Sequence, residues 1–163
     1  MNGIAAEAGV TKPVLYQHFE SKHQLFVEVL AEISAQLGET VTKAVAGASG
    51  PREQIERGFQ AWFQWVAGNN DGFRVLFGPD TRGVPEFADE VRRFESSLAE
   101  VVAEFIEIPD ISTQHRLMLG HGIVGLAEGA CRFWLHHGVD VDADTLADQV
   151  SQLAWAGLRG IES

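Results

Sequence analysis

Residues 4–25 read IAAEAGVTKPVLYQHFESKHQL, and their spacing predicts two short helices joined by a tight turn. The first predicted helix covers residues 2–8 and ends at Gly9, and the second covers Thr11–Phe19. Gly9 stands where the turn needs a positive φ, which costs a residue with a Cβ about 1 kcal/mol or more. Thr11 is predicted to cap the second helix through its side-chain oxygen. Such a pair is typical of a helix-turn-helix, whose second helix enters the major groove of DNA.

The side chains of this stretch divide into an apolar set and an outward set. The apolar set predicts a small core between the two helices, formed by Ile4, Ala5, Ala8, Val10, Leu15 and Phe19. The outward set comprises the candidate DNA-binding residues Thr11, Lys12, Pro13, Val14, Tyr16, Gln17, His18 and Lys22. Gln pairs with adenine, Lys donates to guanine, and Val or Pro contacts a thymine methyl group. Contacts to phosphate oxygens suit the remaining polar groups, which are the hydroxyls of Thr11 and Tyr16, the imidazole of His18 and the ammonium group of Lys22. Taken singly, each could be an ordinary exposed side chain, and the ordered string favours DNA.

The string resembles the signature of the tetracycline-repressor (TetR) family of bacterial transcription regulators. The resemblance covers residues 4–25, and the rest of the chain agrees with the family in helix count, length and a pair of long C-terminal helices. It implies that base edges are contacted by Lys12, Pro13, Val14 and Gln17 and the DNA backbone by Tyr16, His18 and Lys22. It also implies a two-fold homodimer on a palindromic operator in double-stranded DNA, and repression relieved by a ligand.

The family's DNA-binding domain has one more helix before the one predicted at residues 2–8. Two hypotheses account for its absence from this sequence: the natural chain begins upstream, or the protein is a truncated relative with impaired DNA binding. We expect the first. Without that helix, part of the cover over the apolar residues Ile4, Val10, Leu15 and Phe19 would be lost.

Apolar residues at helical spacing continue along the chain and predict an all-α fold. The predicted helices are Ser21–Ala46, Pro51–Ala67, Asp71–Phe77, residues 85–107, Ser112 to about His137, and a last helix capped by Asp142 or Asp144. In the first of these an apolar stripe is formed by Leu25, Phe26, Val29, Leu30, Ile33, Leu37 and Val41. We therefore divide the chain into a helix-turn-helix at 1–25 and a helical domain for ligand binding and dimerisation at 26–163.

Composition bounds the class of protein. The chain has 163 residues, 45% of them hydrophobic, and 12 Lys+Arg against 23 Asp+Glu give a net charge of −11. This argues against disorder and against a protein that coats nucleic acid over its whole surface. In residues 1–25 two lysines balance two glutamates, so the whole −11 lies in the rest of the chain. We expect a cytoplasmic protein with no membrane contact, because neither a long apolar run nor a secretory signal is encoded.

Aromatic residues crowd the middle helices and predict an apolar pocket for a small apolar or aromatic effector. The candidate ligand-binding residues are Phe59, Trp62, Phe63, Val66, Phe73, Arg74, Phe77, Phe94, Leu98 and His121, with Gln60 as a further polar candidate. Arg74 could hold a carboxylate with two hydrogen bonds, or form an ordinary surface ion pair. The aromatic stripe could equally be core packing.

The helix from Ser112 contains four glycines, each of which costs roughly 0.5–1 kcal/mol relative to alanine. They predict close approach to a partner or room for a ligand. The candidate dimer interface consists of Met118, Gly122, Gly125, Leu126, Gly129, Phe133, Leu146, Val150, Leu153, Ala154, Gly157 and Leu158. The alternative is that these positions belong to the core of one chain. In a dimer, a ligand could alter the tilt of the Ser21–Ala46 helix and so the spacing of the two recognition helices.

We expect no enzyme, no cofactor and no metal. The six histidines form no His-Glu-x-x-His pattern, and neither a G-x-S-x-G sequence nor a phosphate-binding glycine loop is present. Cys131, the one cysteine, is predicted to be a core thiol rather than a redox sensor. The alternative function is a helical ligand-binding dimer that has lost DNA binding; a helical protein lying on a membrane surface is disfavoured by the acidic charge.

Overall fold

The computed structural model describes residues 2–161, including every side chain in that range except those of Asn2 and Asp80. Over this range the chain is helical and contains no β-strand, which confirms the all-α prediction. The helices are α1 (Asn2–Glu7), α2 (Lys12–His18), α3 (Lys22–Ala46), α4 (Pro51–Gly68), α5 (Asn70–Phe77), α6 (Pro79–Arg82), α7 (Pro85–Glu104), α8 (Thr113–His137) and α9 (Ala143–Arg159).

Three long helices begin at a capping side chain. Ser21, Ser112 and Asp142 each accept a hydrogen bond from the backbone N–H three residues later, at 3.1, 3.1 and 2.8 Å. Each satisfies one of the N–H groups that the first turn of a helix leaves without a partner. The predicted starts of these helices are therefore confirmed, and the cap of α9 is Asp142 rather than Asp144.

The predicted cap of α2 is wrong. Thr11 has the extended backbone of an N-cap residue, but its side chain accepts no capping hydrogen bond. The first turn is closed by the backbone alone, because the Val14 N–H donates to the Thr11 carbonyl at 3.0 Å. Pro13 lies in this turn and has no N–H, so one fewer donor needs a partner.

The segment between α5 and α7 forms the one-turn helix α6, which was not among the predicted helices. Within α6 the buried Thr81 hydroxyl donates a hydrogen bond to the Val75 carbonyl. Helix α7 ends at Glu104, three residues earlier than predicted. The apolar residues Ile106 and Ile108 follow the end of α7. They are buried outside the helix, so burial rather than helical spacing explains their apolar character.

The core lies among α3, α4, α5, α7, α8 and α9. Phe63, Leu30, Leu37, Leu76 and Val66 are fully buried, and each such side chain contributes about 1.5–3 kcal/mol of hydrophobic stabilisation. The most extensive helix contacts are α7 with α8, α4 with α9 and α3 with α4. The predicted stripe of α3 needs one correction, since Val29 is exposed.

Contact between α7 and α8 depends on one glycine. Gly120 is buried, and a Cβ added there would lie 2.3 Å from the Ala99 carbonyl oxygen of α7. The backbones of the two helices therefore approach more closely than any residue with a side chain allows. The close backbone approach at Gly120 is to α7 of the same chain, so at this glycine the structure agrees with the alternative of a core position within one chain.

Candidate DNA-binding and ligand-binding sites

The first candidate site is the α1–α2 pair. Gly9 has φ +68°, the left-handed conformation that the sequence predicted for the turn. The Val10 N–H donates to the Ala5 carbonyl at 2.9 Å and closes the turn. Ala5 and Leu15 are buried between the two helices, at 4% and 8% exposure. These features give the geometry of a helix-turn-helix.

The core of this pair is smaller than predicted. Ile4, Ala8 and Val10 are exposed, and Phe19 is half-buried, so among the described residues only Ala5 and Leu15 are buried here. Helices of six and seven residues cover only the positions that face each other directly. Ile4 and Val10 are 37% and 38% exposed, whereas Leu15 is buried.

All eight candidate DNA-binding side chains are exposed. They are Thr11, Lys12, Pro13, Val14, Tyr16, Gln17, His18 and Lys22. Tyr16 is 48% exposed, and the Lys12 Nζ lies 5.8 Å from the centre of its ring. At this distance the lysine cation is attracted to the face of the tyrosine ring. The exposure leaves these side chains accessible to a duplex.

The start of α3 connects this pair to the helical domain. The Glu20 N–H donates to the Gln24 Oε1 at 2.6 Å, which holds the α2–α3 junction. Below it, the ring of Phe87 in the first turn of α7 lies 4.8 Å from His23 and 4.4 Å from Phe26. The recognition helix is thus joined through α3 to a helix that lines the cavity described next.

An apolar cavity of about 60 Å³ lies inside the helical domain. Its lining comprises Val41, Val45, Gln54, Ile55, Gly58, Phe59, Trp62, Leu98, Val101, Val102, Phe105, Ile106, Ile123, Val124, Ala127 and Leu158. Of the predicted ligand-binding residues, it contains Phe59, Trp62 and Leu98. Gln54 is the one polar side chain among the described lining residues. An apolar ligand fits this lining, and one larger than the cavity needs the lining side chains to move.

A second, more open cavity of about 700 Å³ lies between α5, the start of α6 and the end of α8, and we call it the basic groove. Its described lining comprises Phe73, Arg74, Phe77, Gly78, Pro79, Gly129, Arg132, Phe133, Leu135, His136 and His137. It contains three further predicted ligand-binding residues, Phe73, Arg74 and Phe77. The predicted single pocket is therefore corrected to two separate cavities.

The remaining predicted ligand-binding residues lie elsewhere. Phe63 and Val66 are fully buried in the core, which is the alternative stated for the aromatic stripe. Phe94 packs near Gly38 of α3 and borders a shallow groove between α3 and α7. His121 is exposed and is absent from the described linings of both cavities, and Gln60 is also exposed. Helical spacing identified residues that face the interior, but it did not show which of them border a void.

An ionic cluster fixes α6 against α8. The buried Glu128 carboxylate accepts hydrogen bonds from Arg82 of α6 and from Arg132, one turn later in α8. Glu95 of α7 is half-buried beside them. Burial raises the pKa of the Glu95 carboxyl, and the Glu128 charge raises it further, while Arg82, His121 and Arg132 oppose the shift. Sequence patterns did not predict this cluster, because its members come from three helices.

Cys131 is buried, as predicted for a core thiol. The Trp62 indole Nε1–H donates to its sulfur at 3.1 Å. Burial raises the pKa of the Cys131 thiol to about 12, although the hydrogen bond from Trp62 opposes the shift. Since the thiolate is the reactive form, the geometry gives an inert thiol beside the apolar cavity.

The candidate dimer residues separate into an outer and an inner group. The outer group is exposed and consists of Met118, Gly122, Gly125, Gly129, Phe133, Leu153 and Gly157. At its four glycines an added Cβ would meet nothing within 4 Å. The inner group corrects the prediction, because its residues face the interior of one chain. Val150 and Ala154 are buried on α9, which packs on α4. Leu158 borders the apolar cavity, and Leu126 and Leu146 pack against the core.

Within the part of the chain that the structure describes, no three His, Cys, Asp or Glu side chains are grouped so that they could hold a metal ion. In the same part, no helix combines the length and apolarity needed to cross a bilayer.

Two family models match the chain. The model of bacterial regulatory proteins of the tetR family matches residues 1–29, and the model of a tetracyclin repressor-like C-terminal domain matches residues 51–157. Among curated proteins, the chain is 31% identical to the HTH-type transcriptional activator FasR of Mycolicibacterium smegmatis over 162 residues. That match covers 99% of this chain and 74% of FasR.

Solved structures of transcriptional regulators also resemble this chain. A TetR-like transcriptional regulator from Rhodococcus sp. RHA1 is 26% identical with a TM-score of 0.78, over 98% of this chain and 84% of that one. The regulator FadR of Bacillus subtilis, solved with stearoyl-CoA, has a TM-score of 0.79 at 16% identity, over 98% and 87% of the two chains, and shows the fold alone. The chain therefore belongs to the TetR family of transcriptional regulators, with an N-terminal helix-turn-helix and a helical C-terminal domain.

Proposed function

We propose that this protein is a cytoplasmic, ligand-responsive regulator that binds operator DNA through α2. Residues 1–25 act as the DNA-binding unit and residues 26–163 as the unit for ligand binding and dimerisation. The observation that carries the proposal is the exposure of all eight candidate DNA-binding side chains on a helix-turn-helix. Lys12, Pro13, Val14 and Gln17 contact base edges, and Thr11, Tyr16, His18 and Lys22 contact phosphates.

A homodimer supplies the two recognition helices that a palindromic operator needs. The outer group of α8 and α9 is the proposed interface, because Met118, Phe133 and Leu153 are each about 60% exposed. Exposed apolar side chains clustered on one surface mark interaction sites. Two copies joined there place their recognition helices in major grooves separated by about 34 Å or a multiple of it.

Dimerisation can be tested by light scattering after size-exclusion chromatography. Leu153→Glu puts a charge into the proposed interface and is expected to give a monomer, whereas Ala31→Glu, at an exposed position of α3 outside that interface, is expected to stay dimeric. A wild-type monomer, or a Leu153→Glu dimer of unchanged stability, contradicts the interface.

The effector is proposed to place an apolar part in the apolar cavity. Support comes from its aliphatic and aromatic lining, and from FadR of B. subtilis, a protein of the same fold that was solved with stearoyl-CoA. A long acyl chain exceeds 60 Å³, so its binding would displace α7 residues such as Leu98. The contacts of the Phe87 ring with His23 and Phe26 would carry that displacement to α3 and to the recognition helix. Ligand then changes DNA affinity through its differential affinity for two helix arrangements.

The proposed mode is repression relieved by ligand. Activation is a second candidate, since FasR, 31% identical to this chain, is named an activator. Transcript levels of the neighbouring genes separate the two in a deletion strain. Repression predicts that these transcripts rise, and activation predicts that they fall.

DNA binding is tested by gel shift with the promoter upstream of the gene. The proposal predicts a salt-sensitive, sequence-specific shift that Gln17→Ala weakens, while Gln36→Ala, exposed in the middle of α3, has no effect. Added acyl-CoA is expected to change the affinity. A full-length chain that gives no specific shift would favour the alternative, a helical ligand-binding dimer without DNA binding.

A further inference from the structure

The basic groove is a candidate site of its own, separate from the apolar cavity. Four of its described lining side chains carry basic nitrogen: Arg74, Arg132, His136 and His137. None of its described lining residues is acidic, although Asp and Glu outnumber Lys and Arg by 23 to 12 in the chain. Its permanent cations are Arg74 and Arg132, and positive charge on a concave surface attracts an anion.

Arg74 is the cation of the groove that can accept such an anion. It is exposed at the end of α5, and among the described side chains no carboxylate forms an ion pair with it. Arg132 is instead held by the buried Glu128 carboxylate. The planar guanidinium of arginine can donate two parallel hydrogen bonds to one carboxylate. The polar contact of a ligand therefore falls on Arg74.

The rest of the groove is aromatic. Phe73 and Phe77 lie with their ring centres 4.8 Å apart, and Phe133, 59% exposed, stacks on His137 at 4.0 Å. Rings of a ligand could pack against these side chains in offset or edge-to-face arrangements. The volume of about 700 Å³ lies in the range of small-molecule sites.

We propose that the basic groove binds a small aromatic carboxylate, whose carboxylate accepts two hydrogen bonds from the Arg74 guanidinium and whose ring packs on Phe73 and Phe77. The inference goes beyond the proposed function, because it gives the helical domain a second ligand site, separate from the apolar cavity proposed for the effector. Its direct test measures ligand binding without DNA. A failure of operator binding would therefore not be mistaken for a failure of this site.

The test is isothermal titration of the full chain with 1-naphthoate and with its neutral analogue 1-naphthamide. We expect one naphthoate per chain and at least tenfold weaker binding of the amide, since hydrogen bonds to charged groups contribute enough to change affinity by about ten- to a hundredfold. Arg74→Gln should weaken naphthoate binding at least tenfold. Arg116→Gln, which removes an exposed arginine near the start of α8, should leave it unchanged.

Three results would overturn the proposal. The first is the absence of saturable naphthoate binding at millimolar ligand. The second is equal binding of naphthoate and naphthamide, because the carboxylate would then make no specific contact. The third is unchanged affinity in Arg74→Gln; since Arg74 is exposed, the variant is expected to fold, and its circular dichroism spectrum checks this.

Discussion

Substitution of Gly120 by alanine is expected to destabilise the protein, although alanine is the better helix former. The added Cβ would lie 2.3 Å from the Ala99 carbonyl oxygen, 3.2 Å from its carbonyl carbon and 3.4 Å from the Ala103 nitrogen. All three are backbone atoms of α7, so no side chain can rotate to relieve the clash. The two helices must separate by about 1 Å, an overpacking that typically costs about 1–3 kcal/mol.

Gly38→Ala is the matched control. Gly38 also lies inside a long helix facing α7, but its added Cβ would meet the Phe94 ring at 3.6 Å, an ordinary van der Waals contact. The same chemical change should therefore stabilise the protein here by about 0.5–1 kcal/mol, the difference in helix propensity. The two variants should shift the free energy of unfolding in opposite directions.

Urea unfolding followed by tryptophan fluorescence measures both effects, at one protein concentration because dimerisation would add to stability. A thermal melt should show Gly120→Ala unfolding at least about 2 °C below the parent. If Gly120→Ala is as stable as the parent, or more stable, the packing of α7 on α8 is wrong and with it the position of the apolar cavity.

Three further predictions concern charge and reactivity. Lys22→Gln should reduce the slope of log K against log salt for promoter binding by about 0.9 for each phosphate that the lysine neutralises, whereas Lys43→Gln should leave the slope unchanged. Equal slopes for Lys22→Gln and the parent, measured by fluorescence anisotropy, would exclude binding of phosphate by Lys22. Glu95→Gln should be more stable than the parent at pH 7 in urea unfolding, because a raised carboxyl pKa penalises the folded state above that pKa. The gain in stability should vanish below pH 4.5, where the carboxyl is protonated in both the folded and the unfolded state. A gain in stability that persists below pH 4.5 would refute this cause. Cys131 should react with Ellman's reagent at pH 8 only in denaturant, and fast reaction of the native protein would contradict its burial.

The helices were predictable because their signals are local. Ser21, Ser112 and Asp142 cap the helices that the sequence assigned to them, and Gly9 has the positive φ that its turn requires. Thr11 shows the limit of this reasoning. Its position and backbone suit a cap, but whether its hydroxyl bonds depends on a rotamer that the sequence does not determine.

The sites were predictable in part. Exposure of α2 follows from helical spacing around the buried Leu15, and contact of this surface with DNA stays a prediction. The cavities were not, because a void depends on how several helices meet. Val150 illustrates the same limit: its apolar side chain suited either a partner or the core, and the packing of α9 on α4 buries it.

The central claim is that two copies of the chain, joined through α8 and α9, present two α2 helices to one face of a duplex. Hydroxyl-radical footprinting on the promoter tests it most directly. The account predicts two equal protected blocks whose centres lie about 10 base pairs or a multiple apart, and the loss of both in Leu153→Glu. A single protected block, or two blocks that persist in a monomeric Leu153→Glu, would contradict it.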